Sequence, residues 1–477
     1  MRQPPPDTPD WVRDTVFYQI FPDRFARSGT LLKPANLEPW DSPPTPNGFK
    51  GGDLEGVIER LDYLQDLGVN GLYFCPIFWS AANHRYHTYD YYQVDPLLGG
   101  NRALERLLKE CRQRNFRLVL DGVFNHASRG FFQFHDILEN GPVSPYVDWF
   151  TVHGWPLSPY DESKPSNYSC WWGLPALPKF NTDNPAVREF LWGVGAHWVD
   201  AGIDGWRLDV PAEIDDDEFW REFRRRVRAK NRHAYLVGEI WVDARRWLQG
   251  DMFDGVMNYL WTSAVIGFCV KSWDRALTRK LHYGSKKALD ARGFRAAVDK
   301  VTALYAPEVN QVQLNLLDSH DTPRFLTLAG GDAGALKLAT LLQMCWVGAP
   351  CIYYGDEIGM QGGRDPDCRR SFPWEPERWD QELLATFREL IGLRHRHPSL
   401  RRGAFRPVAA DGELFAFERE LGDECLLVLA NAGTGPARCT TARRGLERLY
   451  GDATQELTDQ GTALEQPPRS GSVFQCH

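Results

Sequence analysis

The sequence predicts an α/β fold: a (β/α)8 TIM barrel with a loop-rich insert after strand 3 and a small C-terminal antiparallel β domain. Three observations predict it. Eight short apolar segments of β type alternate with amphipathic stretches, the rhythm breaks over about residues 127–180, and beyond about residue 402 helical spacing gives way to alternation. Near-continuous apolar strands separated by helices belong to a parallel sheet covered on both faces, and eight such units close a barrel.

In chain order the predicted strands are Thr15–Pro22, Gly71–Phe78, Arg117–Val123, Gly205–Val210, Tyr235–Trp241, Phe253–Tyr259, Val312–Asp318 and Ala349–Tyr354. Between the first two, Leu54–Leu67 carries apolar residues at 54, 57, 58, 61, 64 and 67, the spacing of one helix face. The stretch 127–180 is too long for an ordinary βα loop and reads as an inserted subdomain on the C-terminal face of the barrel. Segments such as Gly412–Arg419 and Cys425–Ala430 alternate like antiparallel strands. The resulting partition is a Pro-rich tail (1–10), a barrel (11–126 and 181–401), an insert (127–180) and a C-terminal β-sandwich (402–477).

Composition narrows the function. The chain has 477 residues, a formal net charge of −8, 43% hydrophobic and 25% charged residues, which excludes wholesale disorder and argues against a nucleic-acid partner. Eighteen Trp, 17 Tyr and 26 Phe suit a cleft that stacks on ring faces. No apolar run reaches the ~18 residues needed to span a bilayer, and the N-terminus has no apolar signal region. Ten scattered cysteines form no CxxC cluster. The expectation is a cytoplasmic protein with reduced thiols and no membrane partner.

Barrel enzymes project their working groups from the C-terminal ends of the strands. Here those ends carry Asp121, Asn125 and His126 (strand three), Arg207 and Asp209 (four), Glu239 (five) and His320-Asp321 (seven), with Asp365 and Arg369 after strand eight. Charge at the end of an apolar strand is costly unless paired or used. Three carboxylates converging with one Arg fit retaining glycoside hydrolysis, which needs a nucleophile and a proton donor about 5–5.5 Å apart. Asp209 lies two residues from Arg207 on one strand face, so the guanidinium is expected to hold it ionised, as a nucleophile requires. Glu239 follows an apolar run, where burial would raise its pKa and suit a general acid. Asp321, His320 and His126 are left to bind sugar hydroxyls.

The strings DGVFNH (121–126), GWRLDVPAE (205–213), GEIW (238–241) and LLDSHD (316–321) resemble, in order and spacing, the four signature regions of the α-amylase family. LPKFN (177–181), GGDL (51–54), HRY (84–86) and GGRDPDCR (362–369) are similar to its neopullulanase, cyclomaltodextrinase and maltogenic-amylase branch. The resemblance implies Asp209 as nucleophile, Glu239 as acid/base and Asp321 as transition-state stabiliser. It also implies that Arg207, His126, His320, Asp365 and Arg369 bind the reacting sugar, that Tyr86 stacks on it beside His84, and that Trp241 lies on the leaving-group side. Glu213 of the second region is carried over as a substrate-binding residue.

Three departures qualify the likeness. The first strand begins near residue 15, so the branch's N-terminal β domain is expected to be absent, leaving a monomer or a dimer built another way. Pro211-Ala212 stands where the branch commonly has an Asn before the Glu, which leaves the balance between α-1,4 and α-1,6 bonds open. Branch members often bind Ca²⁺ behind the first strand. This chain keeps Gly51 and Asp53, but its loop offers few hard oxygen ligands, so no metal site and no required cofactor are expected.

The leading expectation is therefore a glycosidase acting on maltooligosaccharides, cyclodextrins or related α-glucans through a glycosyl-Asp209 intermediate. A transglycosylase or sugar isomerase would use the same residues. A catalytically dead carbohydrate-binding subunit would need a broken triad. Trp171-Trp172 is expected to pack the insert onto the barrel, Arg224-Arg225-Arg226 to be a solvated helix face, and Cys368 to be a bystander thiol.

Overall fold

The computed structural model describes residues 6–161, 163–279 and 287–477, so the first five residues of the Pro-rich tail lie outside the described residues. Its centre is an eight-stranded parallel sheet made of β1 (Phe17–Ile20), β2 (Gly71–Phe74), β3 (Arg117–Gly122), β4 (Gly205–Leu208), β5 (Tyr235–Gly238), β6 (Gly255–Val256), β7 (Leu314–Leu316) and β8 (Ala349–Tyr353). The hydrogen-bonded order is β6-β5-β4-β3-β2-β1-β8-β7. A parallel bridge from Met257 to Leu314, with the Asn258 N–H donating to the Leu314 carbonyl at 2.9 Å, joins the two ends and closes the barrel. Every strand falls inside its predicted window.

Strand length follows from what ends each strand. β6 is cut to two residues because Asn258 caps the next helix, Tyr259–Cys269, with its side chain accepting from the Trp261 amide. The predicted helix over 54–67 is broken at Arg60 (φ −109°, ψ 6°) into Leu54–Glu59 and Leu61–Leu67. Three elements matter for the barrel mouth. A hairpin (Phe78–Ser80 with Thr88–Val94) follows β2. The segment 127–180 carries one longer helix, Phe132–Asn140, and is tied back by a bridge between His126 and Lys179. Helix Asp217–Lys230 follows β4, and there Arg224 is buried against Asp254 at 2.8 Å, while Arg225 and Arg226 lie on the outer face, paired with Glu222. The solvated-face reading fails for Arg224, because the barrel floor supplies it with a buried carboxylate.

From Ala404 to the C-terminus, eight antiparallel strands form a five-stranded and a three-stranded sheet. Trp346, at the end of helix Ala333–Cys345, packs against Phe405 and Phe417 of this unit. All ten cysteines are free thiols.

Behind β1, Asp53 organises the loop in which the sequence offers few hard oxygen ligands. Its buried carboxylate accepts from the Gly56 amide (2.7 Å) as a helix cap and from Ser28 N and Oγ (3.1 and 3.0 Å). The Lys33 ammonium sits 2.9 Å from Asp53 and donates to the Leu97 carbonyl at 2.7 Å. A side-chain cation thus stands beside the carboxylate. Because Asp53 is fully buried, Lys33→Ala strands a charge and is expected to cost about 3 kcal/mol or more in chemical denaturation. A loss below about 1 kcal/mol would contradict this role for Lys33.

Candidate active site

The site is assembled around one guanidinium. Arg207, fully buried on β4, lies in register beside Asp121 of β3. Its Nη1 donates to Asp121 Oδ1 (2.8 Å) and to Asp209 Oδ1 (2.9 Å), and its Nη2 pairs with Glu239 Oε2 at 3.1 Å. Asp209 and Glu239, from neighbouring strand ends, are therefore held on the two end nitrogens of a single planar cation. Asp121 is fixed from its other side by the Tyr73 and Tyr86 hydroxyls at 3.1 and 2.8 Å.

The backbone bends to make this possible. Val210, directly after Asp209, has φ 36° and ψ 49°, a left-handed conformation that a β-branched residue rarely adopts. The turn aims the Val210 N–H at Glu239 Oε2, 3.1 Å away. Glu239 Oε1 accepts from Trp241 Nε1 at 3.1 Å, and the Trp241 ring lies flat on Tyr259 with centroids 3.7 Å apart.

Asp321 completes the cluster. Its Oδ1 accepts from Arg369 Nη2 and its Oδ2 lies by His320 Nε2, both at 3.1 Å. Gln19 Nε2 is 2.8 Å from His320 Nδ1, so the amide donates there and leaves the imidazole proton on Nε2, which donates to the Tyr86 hydroxyl at 2.5 Å. Tyr86 stacks on His320 at 5.6 Å with planes 6° apart. Asp365 pairs with Arg369 at 2.9 Å.

His84 and Tyr86 come from the hairpin after β2, which the sequence does not disclose. Between them Arg85 adopts φ 59° and is buried, anchored by Asp95 (3.0 Å) and the Asn83 carbonyl (2.6 Å). The Tyr86 amide donates to His84 Nδ1 at 3.1 Å, which fixes both rings over the barrel mouth. His126, at the end of β3, has Trp171 stacked on it at 5.3 Å. Glu213 is the one predicted site residue set apart from the cluster: it is half-exposed on the turn Pro211–Glu213 and paired with Lys179 at 3.3 Å. Gln19, Tyr73, Arg85 and Tyr259 are not among the predicted residues. A polar Gln in the middle of TVFYQIF is the one signal available for the first of them.

Electrostatics separates the carboxyls. Burial pushes Glu239 up to about 7, with Arg207 opposing and Asp321 adding to the rise. Asp209 is also raised by burial, against the pull of Arg207 and with help from Glu239 and Asp121. Against the expectation that Arg207 holds Asp209 ionised, burial and the neighbouring carboxyls outweigh the guanidinium and raise Asp209. Asp321 goes the other way. Burial raises it, but His320, Arg369 and Arg207 together outweigh burial and hold it below the usual range. Burial drives His126 and His320 down to about 3, so both are neutral donors or acceptors at pH 7.

Among the described residues, the group close enough to hold a metal ion is Glu418, Cys425 and Cys476, in the C-terminal sheet. There Arg443 already bonds both Glu418 (3.1 Å) and Cys425 (3.4 Å).

The catalytic-domain model of the α-amylase family matches residues 19–389. The chain belongs to the α-amylase family of glycoside hydrolases. It is 44% identical to a cyclomaltodextrinase of Geobacillus thermopakistaniensis over 89% of this chain and 69% of that one. It is 37% identical to an intracellular maltogenic amylase of Bacillus subtilis over 98% of this chain and 75% of the relative. Among solved structures, the native debranching enzyme of Nostoc punctiforme superposes with a TM-score of 0.91 at 50% identity, covering 99% of this chain and all of the other. No helix among the described residues is long and apolar enough to cross a membrane.

A proton donor must be protonated and a nucleophile ionised. With Glu239 read as the proton donor and Asp209 as the nucleophile, activity is expected to fall as pH rises through the Glu239 value of about 7 and to fall again on the acid side as Asp209 takes up a proton. Glu239→Gln is expected to abolish the alkaline limb when kcat/KM is followed on an activated aryl α-glucoside. An alkaline limb unchanged in that variant would assign the limb elsewhere.

Proposed function

We propose that the protein is a cytoplasmic retaining glycosidase that hydrolyses α-1,4 bonds, and α-1,6 bonds as well, in maltooligosaccharides, cyclodextrins or related α-glucans. The reading rests on one observation: Asp209 and Glu239 share the two end nitrogens of Arg207. The relatives named cyclomaltodextrinase and debranching enzyme support the substrate class, and a solved structure named cyclic α-maltosyl-(1→6)-maltose hydrolase, 38% identical, supports action at a 1,6 bond.

In the first step Asp209 Oδ bonds the anomeric carbon while the glycosidic C–O bond breaks, and Glu239 gives its proton to the departing oxygen. In the second step water attacks the glycosyl-Asp209 ester, Glu239 takes the water proton, and Asp209 leaves as carboxylate. Asp321, held ionised by its cationic neighbours, stabilises the oxocarbenium-like transition state and accepts from sugar hydroxyls. Burial keeps the Glu239 proton available near neutrality, against the pull of Arg207. No cofactor is required. Calcium does not fit the loop behind β1, where Lys33 already neutralises Asp53.

Asp209→Asn is expected to lower kcat on maltotriose by about a thousandfold or more while oligosaccharide binding survives, as calorimetry would register. A variant retaining a tenth of the parent rate would contradict the assignment. With the parent enzyme, chromatography of maltotriose digests should give mainly glucose and maltose. A predominance of longer or newly α-1,6-linked sugars would make the protein a transglycosylase.

A further inference from the structure

Trp171 and Trp172 do not both pack the insert onto the barrel. Trp171 stacks on His126, with centroids 5.3 Å apart and planes at 22°, and Trp172 stacks on Trp171 at 4.6 Å and 8°. The outer ring is 80% exposed. Trp172 also holds a left-handed backbone (φ 50°, ψ 26°), unfavourable for a bulky side chain, inside the turn Trp171–Gly173. Three parallel rings therefore run outward from the mouth of the barrel, and a strained backbone presents the last of them to solvent.

We infer that Trp172 is a sugar-stacking platform for an α-glucan, taking a glucosyl ring beyond the one at the reacting carbon. This deepens the reading above and rests on it. Two observations select a sugar. The inner end of the stack is His126, beside the Tyr86 backbone, and Tyr86 itself bonds Asp121 and His320. Trp172 is thus joined through Trp171 and His126 to the residues around the site. An indole also offers its flat apolar face to the C–H face of a pyranose, the pairing that the proposed α-glucan substrate calls for. An exposed large aromatic held in strain is hard to account for by packing, since the contacts that would repay it lie only on its inner side.

The test compares a long and a short ligand by isothermal calorimetry in the Asp209→Asn background, where neither is consumed. Adding Trp172→Ala is expected to weaken maltohexaose binding about tenfold while changing maltose affinity far less, and Trp172→Phe should restore most of the difference. Circular dichroism checks that the variants fold. Equal loss for both sugars, or no loss for maltohexaose, overturns the platform and leaves the glycosidase reading intact. If the background protein with Trp172 present binds neither sugar, both readings fall together.

Discussion

A single buried cation governs this molecule. Arg207 has no exposed surface and gathers Asp121, Asp209 and Glu239 from three consecutive strands. Taking a guanidinium out of water costs several kcal/mol, recovered only when opposite charge surrounds it in good geometry. Each carboxyl must in turn be at the end of its own strand. The register of β3 on β4, with Asp121 beside Arg207, is therefore a condition for the charges being tolerated at all. Burial of this cluster pushes the Asp209 and Glu239 carboxyls upward against the pull of Arg207, so the barrel mouth holds a proton near neutral pH.

Strain is concentrated in the same place. Five non-glycine residues among those described have positive φ, and three of them border the site: Arg85 between His84 and Tyr86, Val210 after Asp209, and Trp172 at the outer end of the aromatic stack. Each such residue costs about 1–3 kcal/mol and persists because its surroundings fix it. For Arg85 the fixing contacts are Asp95 and the Asn83 carbonyl, and for Val210 the hydrogen bond to Glu239. The scaffold supplies rigid strand ends, and these bent residues between them set the final direction of the working groups.

The barrel is legible in the sequence because a strand buried on both faces must be apolar along its length, and polar residues at its end then stand out. That contrast singles out Asp209, Glu239 and Asp321 from the order of amino acids alone, and Arg207 by its spacing. Other features depend on partners distant in sequence. Gln19 meets His320 across 301 positions, and nothing in either segment announces the other. Lys33 reads as an ordinary loop lysine until the fold sets it on Asp53. The hairpin bearing His84 and Tyr86 lies in a window that reads as a βα connection. Trp172 reads as an inward-packing residue and lies outside, because the turn at Trp171–Gly173 aims successive side chains to one side. The direction of the Asp209 shift escapes the sequence as well: pairwise reading sees Arg207, but not the burial and the other carboxyls that outweigh it.

The central claim is that Asp209 attacks the sugar while Glu239 supplies the proton. Mass spectrometry of the protein after incubation with a ring-fluorinated glucosyl fluoride tests it most directly, because the ring fluorine slows both steps while the fluoride leaving group speeds only the first, so a covalent intermediate accumulates. The account predicts one added fluoroglucosyl mass on the peptide containing Asp209. A label on Glu239, or no label together with release of the inverted anomer, would contradict it.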